Sequence, residues 1–351
     1  DYARYAANGN GLFGTHTTLP LSLSKTANMR YFINFQGFVN YNRTFGEKHE
    51  VDAFISYFNE NMMKNGDLPY DRLSLMGHLK YGYGSRYYIQ GDFTYDGTEQ
   101  FKPGNRFKFF PTVSAAWVVS NESFLKDSGW LSFLKIRASA GWLGNDQISA
   151  TRFLYATDVR YQLQGYLLSN YYAAQTVEGM QGNPYIHYEK SFQQNYGIDI
   201  TLLNSLSFTF DYWNVKQTNM AIQDNSISSA QGIASNYLPF ENLGKMNNKG
   251  FDVELSYTKK LKCGLNMTFR GNMGYNKNEV IDVKELNRTT SGYYYPYRKT
   301  GYSAGQQFGY LIDYSNGNGY YNSQEEIDKS GLRFSGASPR PGDFIYKDLN
   351  N

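Results

Sequence analysis

Cysteine occurs once in 351 residues, as Cys263. The chain therefore forms no internal disulfide and builds no thiolate zinc or iron–sulfur cluster by itself. Histidine is almost as scarce, and His16, His49, His78 and His187 lie too far apart in sequence to form a ligand motif. Charge of one sign is not in excess. Lys plus Arg is 34 and Asp plus Glu is 31, a net of 34 − 31 = +3. That balance argues against a dedicated nucleic-acid binder, which carries a strong basic excess on one face. Long apolar runs are missing as well. The best stretch is Ala115-Ala116-Trp117-Val118-Val119, far short of the ~18 residues of a membrane helix. Two familiar catalytic signatures are also absent: neither H-E-x-x-H nor a P-loop occurs.

Aromatic residues are abundant instead, at 33 Tyr, 24 Phe and 4 Trp. They are distributed with a period of two. Tyr31, Ile33, Phe35, Val39 and Tyr41 oppose Asn34, Gln36 and Asn40. The same alternation recurs over Val51–Tyr57, Leu73–Tyr81, Ile89–Tyr95, Val113–Val119, Leu134–Trp142, Tyr196–Leu202, Leu206–Tyr212, Phe251–Tyr257 and Leu265–Tyr275. Strict alternation is the mark of a strand with two unlike faces. The spacing predicts about ten strands, many longer than the ~5–6 residues usual in globular proteins and close to the ~9–11 of a tilted membrane-spanning strand.

The connections alternate too. Short links follow Asn42, Tyr81, Leu203 and Tyr257. Long links run over Asn59–Asp71, Asp96–Lys108, Leu143–Gln193, Lys216–Asn248 and Asn276–Gln306. Ser120–Phe133 breaks the rule as a longer link at a short-turn position, with room for a helical turn. Outer-membrane barrels have this asymmetry, with short periplasmic turns and long extracellular loops. The expected fold is all-β: a transmembrane antiparallel β-barrel. Residues 1–29 read as loop or partial strand, 30–276 as the ten strands, and 277–351 as an extracellular loop and the next strand. The alternative, a soluble β-sandwich with an aromatic core, accounts for neither the strand length nor the loop asymmetry. Asp1 at the start and the turn-like Pro341-Gly342-Asp343 near the end suggest a piece of a longer polypeptide.

Three motifs fail their own context. Gly9, Gly11 and Gly14 spell G-x-G-x-x-G, but no strand precedes them and no acidic residue follows before Glu47. Asn316, Asn318, Gly319 and Glu325 match part of a calcium loop, yet Tyr314 would stand where its first carboxylate belongs. Asp199, Asp211, Asp252 and Glu254 could suggest paired acids, but each falls on the polar side of a strand, so a hydrated interior is the simpler reading. Binding is expected in the long loops. There Tyr161, Tyr166, Tyr171, Tyr172 and Tyr185 are the candidate substrate contacts, since tyrosine faces stack on sugars and peptides alike. Packing of the loops against each other is the competing role for any one of them.

Several segments resemble the SusC/RagA class of TonB-dependent outer-membrane transporters of Bacteroidota. They include Asn40–His49, Asp96-Gly97-Thr98, Phe110–Trp117 with Glu122-Ser123-Phe124, Leu134–Asn145, Asn183-Pro184, Glu189-Lys190-Ser191, Asn195–Asp199, Asn242–Glu254 and Pro341–Asn350. They run in family order. The resemblance implies a 22-stranded barrel around a plug, of which this chain would hold under half and no plug. It implies active import of a glycan or oligopeptide; from the residues themselves, no enzymatic step and no cofactor is expected. It further implies a SusD-like surface lipoprotein as lid, the TonB–ExbB–ExbD complex as energy source, and a bilayer with lipopolysaccharide as surroundings. A structural scaffold among other outer-membrane complex subunits, or a passive porin, would keep the same strands.

Overall fold

The computed structural model describes residues 29–64, 68–149, 151–162, 175–285, 299–331 and 339–347, with the short segments 3–4, 17–18, 167–168 and 171–172. Ten long strands form one antiparallel sheet, each paired with its sequence neighbours. They are β1 (Arg30–Phe45), β2 (His49–Lys64), β3 (Tyr70–Tyr83), β4 (Tyr87–Thr98), β5 (Phe107–Val118), β6 (Leu131–Asn145), β7 (Glu189–Leu202), β8 (Leu206–Gln223), β9 (Phe240–Lys260) and β10 (Asn266–Asp282). The sheet is open, with β1 and β10 at its edges. The one α-helix among the described residues is α1 (Gln324–Ser330).

Register turns the alternation of each strand into a continuous surface. Directly opposed residues of an antiparallel pair share a face. One row runs Ile136↔Ile198↔Phe210↔Val253↔Met273 across five strands. A second runs Val39↔Ile55↔Gly77↔Phe93↔Pro111. Rings stack along this face, as in Tyr87 on Trp117, Tyr95 on Phe107 and Phe210 on Phe251. The opposite face is polar. At its centre the Arg137 guanidinium reaches Asp199 at 3.1 Å and Asp211 at 2.6 Å. Gly197 faces it across the β6–β7 pair, and a Cβ there would stand 2.5 Å from the guanidinium carbon. Asp252 accepts from the Trp213 indole at 2.9 Å, and Asp52 pairs with His78 at 2.6 Å.

The strands are longer than the alternation implies, at 12 to 21 residues. The long links shrink accordingly. The expected Asn59–Asp71 link reduces to residues 65–69, because β2 continues to Lys64 and β3 begins at Tyr70. The physical reason is that the hydrogen-bond ladder outlasts the apolar stripe. Once both faces meet polar surroundings, as over Glu60-Asn61, the side chains no longer need to alternate although the backbone still pairs. The β5–β6 connection opens with a 3₁₀ turn, Val119–Asn121.

Candidate functional site: the long-loop end of the polar face

Described parts of the β4–β5 and β6–β7 links pack on one another. A small apolar core of Phe101, Phe110, Leu154, Ile186 and Tyr188 forms above the sheet, joined by Ile148, Tyr155, Met180, Ala221 and Phe240. Tyr188 packs edge-on to Phe110 with ring centres 5.5 Å apart, and tilts against Phe101 at 4.8 Å. Its hydroxyl is buried and has no hydrogen-bond partner among the described residues. Burial pushes that hydroxyl well above the ordinary tyrosine range, so it stays protonated.

Asparagine side chains stitch this core to the strands. Asn183 donates to the Phe240 carbonyl at 2.9 Å. Asn242 donates to the carbonyls of His187 and Asn219 at 2.9 and 2.8 Å, and accepts from the His187 amide at 3.0 Å. Glu189 accepts from the Ala221 amide and from Asn145, both at 2.9 Å. The segments Asn183-Pro184, Glu189-Lys190-Ser191 and Asn242-Leu243-Gly244 thus hold one canopy of loops together. All of these bonds except Glu189–Asn145 satisfy a backbone group.

Below the start of the canopy, on the polar side of β2–β4, lies a recess of about 380 Å³. That is within the size range of small-ligand pockets. Glu60, Met62, Tyr70, Arg72, Glu99, Phe101, Asp146 and Arg152 line it. Arg152 closes one side. Its guanidinium lies over the Tyr70 ring at 3.6 Å, pairs with Glu99 at 2.8 Å and donates to the carbonyls of Leu68 and of Pro69, the latter at 2.8 Å. One side chain therefore ties the β6–β7 loop to the β2–β3 and β4–β5 links. Arg72 forks onto Asp96 at 3.2 and 2.8 Å and remains half-exposed to the recess. The wall offers aromatic faces and fixed charges of both signs, the equipment for holding a polar ligand with apolar surface. Arg152→Met is expected to release the loop from the rim at a cost of about 1.5–3 kcal/mol per charge-assisted bond lost. Faster proteolysis within residues 146–158, with the strands still protected, would show it. Unchanged cleavage would remove Arg152 from this role.

The sequence-based candidates do not converge on the recess. Tyr161 lies on a short strand, Val159–Gln162, paired with Gln175–Glu178, and its side chain is exposed. Tyr185 is 80% exposed, on a turn where its amide donates to Asn183 at 3.0 Å. Tyr171 and Tyr172 pair through their backbones with Leu168 and Leu167; their side chains, and Tyr166 altogether, fall outside the described residues. So does the Gly9, Gly11, Gly14 motif. Two other loop tyrosines, Tyr155 and Tyr188, pack in the core. Sequence reasoning missed Arg152, whose only signal is a lone cation beside Phe153 in a tyrosine-rich loop.

The asparagines of the partial calcium loop serve their own backbone. Asn316 accepts from the Gly319 amide at 2.9 Å, and Gly317 and Gly319 take positive φ. Ser323 caps α1 by accepting from the Glu326 amide at 3.3 Å, while Glu326 reaches back to the Asn322 amide at 2.7 Å. Among the described residues, no group of three or more His, Cys, Asp or Glu is placed to hold a metal ion.

Residues 1–350 match the family model described as TonB dependent receptor-like, beta-barrel. The chain is similar to TonB-dependent receptor P39 of Formosa agariphila, at 24% identity over 91% of this chain and 35% of that protein. It is similar to TonB-dependent receptor SusC of Bacteroides thetaiotaomicron, at 26% identity over 60% of this chain and 21% of that one. The RagAB peptide importer in its open-open state shares the fold at a TM-score of 0.63 and 23% identity, covering 92% of this chain and 38% of that one. The chain spans about a third of the length of these relatives or less.

Proposed function

Because this chain belongs to the TonB dependent receptor-like β-barrel family, we propose that it forms part of the wall of an outer-membrane importer of the SusC/RagA type. The family's barrels are outer-membrane receptors, and the face built from Ile136, Ile198, Phe210, Val253 and Met273 suits hydrocarbon. The short-turn end then faces the periplasm and the canopy faces outward. The cargo is a large nutrient, a glycan or an oligopeptide. It meets the protein at the recess beside Arg72 and Arg152 and at the loop tyrosines Tyr161, Tyr166, Tyr171, Tyr172 and Tyr185. A SusD-like lipoprotein covers the canopy, and TonB with ExbB and ExbD supplies the energy.

The observation that carries this reading is the apolar face kept in register across the sheet, together with the loop canopy on one end only. The test is uptake. Cells expressing the full-length protein should take up labelled oligopeptide or glycan, lose that uptake when TonB is inactivated, and yield a lipoprotein that co-purifies. Uptake that survives loss of TonB would point to a passive pore. A barrel that imports neither cargo would point to a scaffold. Either result overturns the proposal.

A further inference from the structure

The longest connection at the short-turn end, residues 119–130 between β5 and β6, is built unlike a plain turn. Glu122 is buried, and three groups hold its carboxylate: the Tyr87 hydroxyl, the Trp117 indole at 3.0 Å and the Arg86 guanidinium at 2.9 Å. The Tyr87 hydroxyl, then the indole, keep this carboxyl below the usual glutamate range. Asn121 adds a bond to the Ser85 carbonyl at 2.7 Å. Tyr87 and Trp117 are directly opposed in register and lie on the apolar face, next to Ile89 and Ile136. Their polar edges therefore pull the link onto the apolar side of the sheet's rim, not into the polar interior.

The link presents two large apolar side chains that are mostly exposed. Phe124 is 70% and Trp130 is 61% exposed. Leu203 of the neighbouring turn is also exposed, and its amide bonds to the Trp130 carbonyl at 2.9 Å. The same rim is basic. Lys48, Arg86, Lys126, Lys259, Lys260 and Lys262 stand against Glu47, Glu50, Glu122 and Asp127, and Arg86 already neutralises Glu122. Aromatics with a polar edge, flanked by cations and continuous with a lipid-facing surface, are the composition of a membrane–water interface.

We propose that residues 119–130 form a foot seated in the phospholipid headgroup layer of the periplasmic leaflet, with Trp130 and Phe124 as its anchors and Glu122 as the clasp that fixes its direction. This rests on the outer-membrane reading, and the test separates the two. The full-length protein would be reconstituted in vesicles of phosphatidylcholine and phosphatidylglycerol, with or without bromine near the glycerol end of the acyl chains. The tryptophan emission lost in Trp130→Phe is expected to be quenched by about half by the brominated lipid and little by aqueous iodide. The emission lost in Trp142→Phe, on the apolar face of β6, reports on the barrel itself. Quenching by brominated lipid at Trp142 but not Trp130 overturns the foot alone. Quenching at neither overturns the outer-membrane reading. Iodide quenching of Trp130, or shielding from both quenchers, also removes the foot. Phe124→Trp in the Trp130→Phe background gives a second report from the same link.

Discussion

Tyr188→Ala is expected to destabilise the loop canopy by about 3–5 kcal/mol, the cost of truncating a large buried aromatic. Tyr188→Phe is expected to be neutral or slightly stabilising. The contrast follows from the site. The ring contacts Phe101 and Phe110 at the centre of the only apolar core above the sheet among the described residues. The hydroxyl, by contrast, is buried without a partner among the described residues, so removing it is expected to abolish a desolvation penalty and no bond. The strands have their own ladder and should survive. The loss should therefore appear as local opening, increased about a hundredfold or more, in hydrogen exchange over residues 151–158 and 175–188. If Tyr188→Phe were as damaging as Tyr188→Ala, the hydroxyl would hold a partner in the intact assembly. If neither altered exchange, the canopy would be held by its asparagine bonds alone.

The second expected result concerns two adjacent residues of β9. Val253→Arg should destabilise the folded barrel in lipid by about 2–4 kcal/mol, the cost of a cation facing the bilayer interior. Glu254→Arg should shift stability by no more than about 0.5 kcal/mol, as surface substitutions usually do. Val253 lies between Phe210 and Met273 on the apolar face, whereas Glu254 lies between Thr209 and Asn272 on the polar one. One position along a strand exchanges lipid for water. Urea titration of the full-length protein folded into vesicles gives both values. Equal costs at the two positions would mean that the apolar face does not meet lipid, and would favour a sheet buried in protein.

The sequence by itself determined the ten strands, their two faces and which ends carry long connections. Each of these follows from a local rule. A strand with unlike surroundings must alternate, and residues such as Phe208, Phe210 and Tyr212 against Ser207, Thr209 and Asp211 do so without reference to the rest of the chain. The family resemblance in the segments from Asn40 to Asn350 is likewise carried by the matched family model. What only the tertiary structure decided is where strands end and which loop residues meet. β2 runs on to Lys64 because backbone pairing continues past the point where alternation is required. Arg152 reaches Glu99, Leu68 and Pro69 across separations of 53 to 84 residues, and no periodicity encodes a contact of that range. Among the loop tyrosines, composition treats Tyr188 and Tyr185 as equals. Packing buries the first in the canopy and leaves the second in solvent, because apolar contact depends on which loops fold over one another and not on the residue alone.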